Sequence, residues 1–186
     1  MVAIRHARQN EIGLLLEIGL SAWENATTGI GDVAAMLGPA KRAFDDFLTR
    51  HWFSLILVEN EKRVCGWAAR EGLDGIISDL WIDPEAQGRG LGSALLADIE
   101  RRIAADGLAV ASAKTHAQNT AAVAFFQRAG YRVTWLSTAY SQRLDRDAEF
   151  IGLAKEMGRW KGDRFPGGPT AWSSGPNAGG SPAFSS

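Results

Sequence analysis

The sequence predicts a mixed α/β (α+β) domain, with a mainly antiparallel central sheet and helices on both faces. Three observations predict it. Short apolar, β-prone stretches and segments of helical period follow one another as two strands, a strand, a helix, a strand, a helix and two strands. A turn with glycines at 88, 90 and 92 joins the strand through Leu80-Trp81-Ile82 to a helix whose Leu91, Leu95, Ile99 and Ile103 share a face. The 186 residues, 46% of them hydrophobic, are material for one ordinary core.

In chain order, Val2 to Arg8 alternates as a first or edge strand. Asn10 can cap a helix carrying Ile12, Leu15, Leu16 and Gly19 to about Ala22, and Trp23 to Gly31 reads as a loop. Asp32 caps a second helical region, interrupted near Gly38-Pro39 and resuming through Phe44, Phe47 and Leu48. Phe53–Glu59 and Arg63–Arg70 form a hairpin about Asn60-Glu61-Lys62. A turn at 72–75 leads into the strand from Ile76 to Ile82, which Asp83-Pro84 ends because proline lacks the N–H a ladder needs. The helix from Leu91 stops near Gly107, and Leu108–Thr115 is the next strand. Asn119 caps a helix that Gly130 ends with a left-handed turn. Tyr131–Leu136 is a strand, a loop carries Tyr140, Arg143 and Arg146, and Phe150–Met157 is the last strand. Residues 1–157 thus read as one domain. Residues 158–186 hold four of the six prolines with many glycines and serines, and read as a disordered tail, unusual in carrying Trp160, Phe165, Trp172 and Phe184.

A net charge of −1 offers no broad attraction to nucleic acid or a membrane surface, and no apolar run approaches a membrane span. The first residues lack the apolar core of a signal peptide. Cys65, the only cysteine, lies in an apolar strand and reads as a small buried side chain rather than a nucleophile. A cytoplasmic protein without a metal is expected.

The glycine turn is the chemical focus. Glycines there let a backbone approach a ligand closely, and the helix that follows aims unpaired N–H groups and the positive end of its dipole outward, which suits a phosphate. The spacing fits neither the dinucleotide fingerprint, whose last glycine would fall on Ser93 or Leu95, nor the P-loop, which needs a lysine. It fits Gln/Arg-x-x-Gly-x-Gly/Ala, filled by Gln87, Gly90 and Gly92. This resembles the acyl-CoA pyrophosphate loop of the GNAT superfamily of N-acyltransferases. The flanking Trp81-Ile82-Asp83-Pro84-Glu85 and Ala94-Leu95-Leu96 resemble the family's, as does the stretch from Asn119 through Phe125-Phe126 to Gly130-Tyr131. The resemblance covers roughly residues 2–157 and is carried by those after 60.

The resemblance implies acetyl-CoA as co-substrate. Gln87, Gly88, Arg89, Gly90, Leu91, Gly92 and Ser93 would offer N–H groups to the pyrophosphate. Leu80, Trp81 and Ile82 would bond the pantetheine arm, with the neighbouring strand splaying away near Ala113. Asn119 would open the second helix, and Phe126 would pack on the pantetheine or acetyl group. The implied function is an N-acetyltransferase moving acetyl to a primary amine of a small molecule or peptide by direct attack, with a homodimer left open. Two family positions depart. The usual tyrosine acid is Phe126, which cannot donate a proton, and the base glutamate of protein N-terminal acetylases is Lys114. Tyr140 is then the preferred acid, and Asp79, in the central strand, a candidate base. His116 reads as solvated, Tyr131 as core, and water-relayed transfer stays open. The same departures support a second reading, a catalytically silent acyl-CoA-binding or sensor module. Trp23, Glu24 and Trp52 are candidate acceptor contacts, and Glu24, Asp45 and Asp46 would favour a cationic amine.

Overall fold

A computed structural model describes residues 1–29, 32–70, 72, 74–141 and 146–157. The strands among them are β1 (Val2–His6), β2 (Ile56–Asn60), β3 (Arg63–Ala69), β4 (Ile76–Ile77), β5 (Asp79–Ile82), β6 (Val110–His116), β7 (Arg132–Ser141) and β8 (Arg146–Glu156). The helices are α1 (Ile12–Thr27), α2 (Val33–His51), α3 (Leu91–Ala105) and α4 (Thr120–Arg128).

The expected central sheet is divided in two. One sheet, wholly antiparallel, has the order β1-β2-β3-β5, and the other is β4-β6-β8-β7. Only β4 and β6 run parallel. The single strand expected from Ile76 to Ile82 breaks at Ser78, whose N–H and hydroxyl both donate to the Ala69 carbonyl. That double bond ties the strand to β3 at the point where it leaves β6.

Helices lie on both faces because the strands are apolar on both. Leu80, Ile82, Ala111, Ala113 and Leu153 pack with Leu91, Leu95, Ile99 and Ile103 of α3 and with Phe125 and Phe126 of α4. The other face of the first sheet, with Leu57, Trp67 and Trp81, meets Leu15, Ile18 and Trp23 of α1 and Phe44, Phe47 and Leu48 of α2. Gly19 lets α1 and α2 meet closely, since a Cβ there would come 2.9 Å from the Phe44 ring.

Three local expectations change. The loop expected from Trp23 is helix: α1 runs to Thr27 because Trp23 is fully buried, and the Thr27 and Thr28 hydroxyls bond the Trp23 and Glu24 carbonyls as the turns end. Asp32 caps α2, accepting from the Ala35 N–H at 3.2 Å, but Pro39 does not interrupt the helix. Its apolar stripe continues through Met36, Ala40 and Phe44, and this burial outweighs the one backbone bond that proline removes. Finally, Tyr140 and Arg146 belong to β7 and β8, which form one long hairpin in place of the expected loop; Arg143 and residues 158–186 lie outside the described residues. The tight turn between β2 and β3 is as expected, with Glu61 and Lys62 both at positive φ, the conformation that matches strand twist. Cys65 is buried in β3. No helix among the described residues is long and apolar enough to cross a membrane.

Candidate active site

The site begins where β5 ends. The Asp83 side chain accepts from the Glu85 N–H at 3.0 Å and starts a short 3-10 turn, Pro84–Ala86. The Gln87 amide then reaches back to the Ile82 carbonyl at 3.2 Å, which pins the loop to the strand. Gly88 and Gly90 have φ of 72° and 76°, and Gly90 is the N-cap of α3. Side chains other than glycine are strained at such φ values, so the sequence pattern has a backbone reason. The first N–H groups of α3 have no partner within the helix. They open, with the loop, onto a cleft of about 200 Å³ lined by Gln87, Gly88, Gly90 and Ser93 on one side and Phe125 and Arg128 on the other. Arg89 is exposed but is not part of that lining.

Phe125 and Arg128 were not among the expected site residues. They stand three apart on the helix that Asn119 opens, so one helical face carries both to the glycine loop. That spacing was available in the sequence. Asn119 does cap α4, accepting from the Ala122 N–H at 3.1 Å. At the other end Gly130 (φ 93°) closes the helix, with the Tyr131 N–H on the Phe126 carbonyl and the Gly130 N–H on that of Gln127. The Phe126 and Tyr131 rings meet edge to face at 5.0 Å as part of this cap. Phe126 is thereby fully buried, and it is its neighbour Phe125 that borders the cleft.

Leu80, Trp81 and Ile82 are all buried. Leu80 and Ile82 face α3 and α4, Trp81 faces α1 and α2, and β5 is the edge strand of its sheet. The β4–β6 pairing stops at Ile77 and Ala113, so the two sheets part between β5 and the end of β6.

The expected proton-handling groups are scattered. Asp79 is buried beneath α2, its carboxylate accepting from the Trp81 indole N–H at 2.8 Å. His51, stacked on Phe47, is held below the usual imidazole range chiefly by burial and then by Arg50, with Asp79 opposing. Tyr140 is half exposed, opposite Asp147 in the hairpin. His116 is not solvated as expected but buried, its ring 4.5 Å from that of Phe150, which also lies 4.8 Å from the Lys114 ammonium. Tyr131 is core, as expected, its hydroxyl pushed far above the phenol range by burial and then by the nearby Glu100 carboxylate. Among the expected acceptor contacts, Trp23 is core, Trp52 is half-buried against Phe53, and Glu24 is exposed. Asp45 and Asp46 are exposed on the outer face of α2, where Asp46 pairs with Arg50 at 3.6 Å. A cavity of about 610 Å³ between α1 and the β2–β3 turn is lined in part by charges that pair with one another: Arg5 with Glu11 and Glu59, and Arg63 with Asp83 and Glu85.

Comparison with known proteins points the same way. Residues 23–131 match the model of the acetyltransferase (GNAT) family. A mycothiol acetyltransferase of Clavibacter michiganensis subsp. michiganensis is 33% identical over 102 residues, which are 52% of this chain and 33% of that protein, so the match spans about a third of that relative's length. The fold is shared with the PaiA N-acetyltransferase of Thermoplasma acidophilum, solved in complex with coenzyme A (TM-score 0.68, 15% identity, 84% of this chain and 99% of that one). It is also shared with YncA of Salmonella typhimurium, solved with its cofactor acetyl-CoA (TM-score 0.59, 19% identity, 88% of this chain and 98% of that one).

Proposed function

The chain belongs to the acetyltransferase (GNAT) family, and from that premise we propose that it moves an acetyl group from acetyl-CoA to a primary amine of a small molecule or peptide. The observation that carries this is the glycine-lined cleft at the start of α3, next to the place where the two sheets part. A Cβ at Gly88 or Gly90 would meet no atom within 4 Å, so the loop's outer side has room for a bulky anion. The helix terminus supplies N–H groups and Arg128 a positive charge, which together fit a pyrophosphate. The main chain of Leu80, Trp81 and Ile82 would hold the pantetheine arm, and the opening between β5 and β6 would admit the thioester.

Acetyl-CoA supplies an activated acyl group, and the chain's task is then to hold two reactants together and keep bulk water out, worth about 7–11 kcal/mol in favourable cases. The amine nitrogen forms a bond to the acyl carbon, the carbon–sulfur bond breaks, the amine loses a proton and the thiolate gains one. Tyr140 and Asp79 stay the proposed acid and base, and a water relay is the alternative. One observation favours a second reading, a silent acyl-CoA-binding module: the family's acid position is the fully buried Phe126 and its base position the buried Lys114.

Thermal unfolding across an acetyl-CoA titration, with ATP and NAD as controls, tests the cofactor. Acetyl-CoA at 100 times its dissociation constant should stabilise the fold by about 2.7 kcal/mol. No response at millimolar concentration would remove the cleft from this role. Release of free thiol on adding amines separates enzyme from silent module.

A further inference from the structure

Among the described residues each sheet has two edge strands, and three of these four edges are short, charged or both. β1 has five residues and carries the Arg5 cluster with Glu11 and Glu59 and the contact of His6 with Arg102. β4 has two residues, and β5, with four, borders the parting of the sheets. Short length and charge are the usual means by which a sheet edge avoids pairing with another chain. β7 has neither. It is ten residues long, contains no glycine or proline, and holds a single charge, Arg132, at its start.

The side chains of β7 add an apolar stripe to that edge. Val133 lies opposite Leu153, and Leu136 opposite Ile151. Residues directly opposite share a face, so Val133 and Leu136 stand on the side where Leu153 and Ile151 join the α3–α4 cluster. Yet they are 46% and 62% exposed, although the same cluster covers Leu153 completely. The register shifts between Val133 and Trp135 and is one-to-one from 135 to 141, so a regular length of edge follows the bulge. Its threonine, tryptophan and tyrosine residues favour extended backbone.

We propose that the outer edge of β7 pairs antiparallel with the same strand of a second copy of this chain, joining two four-stranded sheets into one of eight strands. The occupant must be a strand, because the open side of a ladder is satisfied by main-chain groups. The sequence of residues 158–186 has no stretch longer than five residues, 170–174, free of glycine and proline, which is short for a ten-residue edge. β7 is its own complement in length. Antiparallel pairing of a strand with itself is two-fold symmetric and closes after two copies. It keeps the two Arg132 charges at opposite ends of the paired strands. Centred on Thr138, it sets Leu136 of each copy against Tyr140 of the other, an apolar pair of the kind that stabilises a ladder. The proposal does not depend on the acetyl-transfer reading.

Sedimentation velocity of the full chain over about 0.1–100 μM should show a species of twice 20.0 kDa that grows with concentration. Thr138→Lys sets two ammonium groups side by side on the symmetry axis, and Leu136→Lys places a charge on the stripe. Both residues are exposed, so each variant should keep the native circular dichroism spectrum while dimerisation weakens about tenfold or more. Hydrogen exchange of the native chain, measured below and above the midpoint of association, is the second readout. Amides of β7 should exchange more slowly above the midpoint, and those of the β1 edge should not change. A monomer throughout the range would overturn the proposal. So would a dimer that both folded variants retain, since it would use another face. Protection of β7 that is the same in monomer and dimer would also overturn it. The exchange readout needs no substitution, so it decides the matter even if neither variant folds.

Discussion

Ile77 and Ala113 are the last partners that β4 and β6 share; two residues later the chain has joined the other sheet, as Asp79 pairs with Ala69. The opening between the sheets is therefore a consequence of register. Ser78 makes the switch by giving both its donors to one carbonyl of β3.

The glycine loop is tested most directly at Gly90. Valine there must adopt a φ of 76°, a conformation that costs a β-branched residue about 1–2 kcal/mol, and its side chain would enter the space assigned to the pyrophosphate. Gly90→Val should stay folded with a modestly lower midpoint and lose the acetyl-CoA-induced thermal shift. An unchanged shift would remove the loop from its role.

Arg128 supplies the charge facing that loop. Arg128→Gln should leave the midpoint of the ligand-free protein nearly unchanged, because the residue is exposed, and should weaken acetyl-CoA binding several-fold, about 1 kcal/mol for a partly exposed charge pair. Direct titration checks it, and the loss should shrink at high salt.

Phe126→Tyr is expected to leave turnover per folded molecule unchanged or to raise it. The ring is fully buried between Phe125 and Tyr131, so an added hydroxyl must find a partner or cost about 1–3 kcal/mol of stability. Kinetics normalised to the folded fraction separate the two effects. A collapse of turnover in a folded sample would mean that the phenylalanine itself is required.

The Trp135 ring lies directly over Gly152 of the neighbouring strand, with no room for a methyl group. Gly152→Ala should destabilise by about 1–3 kcal/mol through overpacking. Adding Trp135→Ala should recover part of that loss, which a double-mutant cycle of unfolding midpoints reads as coupling between the two sites.

Acid stability should depend on Glu11. Hydrogen bonds from Arg5, foremost, hold its carboxyl below the usual 4.5, against the opposing effect of burial. A carboxyl lowered in the folded state contributes stability that is present above about pH 4.5 and is lost as pH falls through the folded value. Relative to Glu11→Gln, the native chain should thus show its full advantage near neutrality and lose it on acidification, as denaturant titrations at several pH values would show.

Much of this was legible because local chemistry and tertiary demand agree. Asn119, Gly130, Asp32 and the Glu61-Lys62 turn are read correctly since caps and turns depend on a few neighbouring backbone groups. The glycine loop was legible for the same reason. The misreadings occur where burial decides. By local pattern Trp23 reads as a loop residue and Pro39 as a break, yet the packing of α1 against α2 carries both helices through. His116 reads as solvated because nothing local shows that Phe150 will cover it.

The division of the strand at Ser78 also has a consequence for motion. The two sheets share one hydrophobic cluster with α3 and α4, and along the parting the backbone bonds that would span a continuous sheet are replaced by side-chain packing. Amide protons flanking this seam, at the ends of β5 and β6, should therefore exchange with solvent through local opening, well before those at the centres of β2, β3 and β8. A ligand lying along the seam would slow them, turning a line of weakness into the most strongly protected line in the molecule.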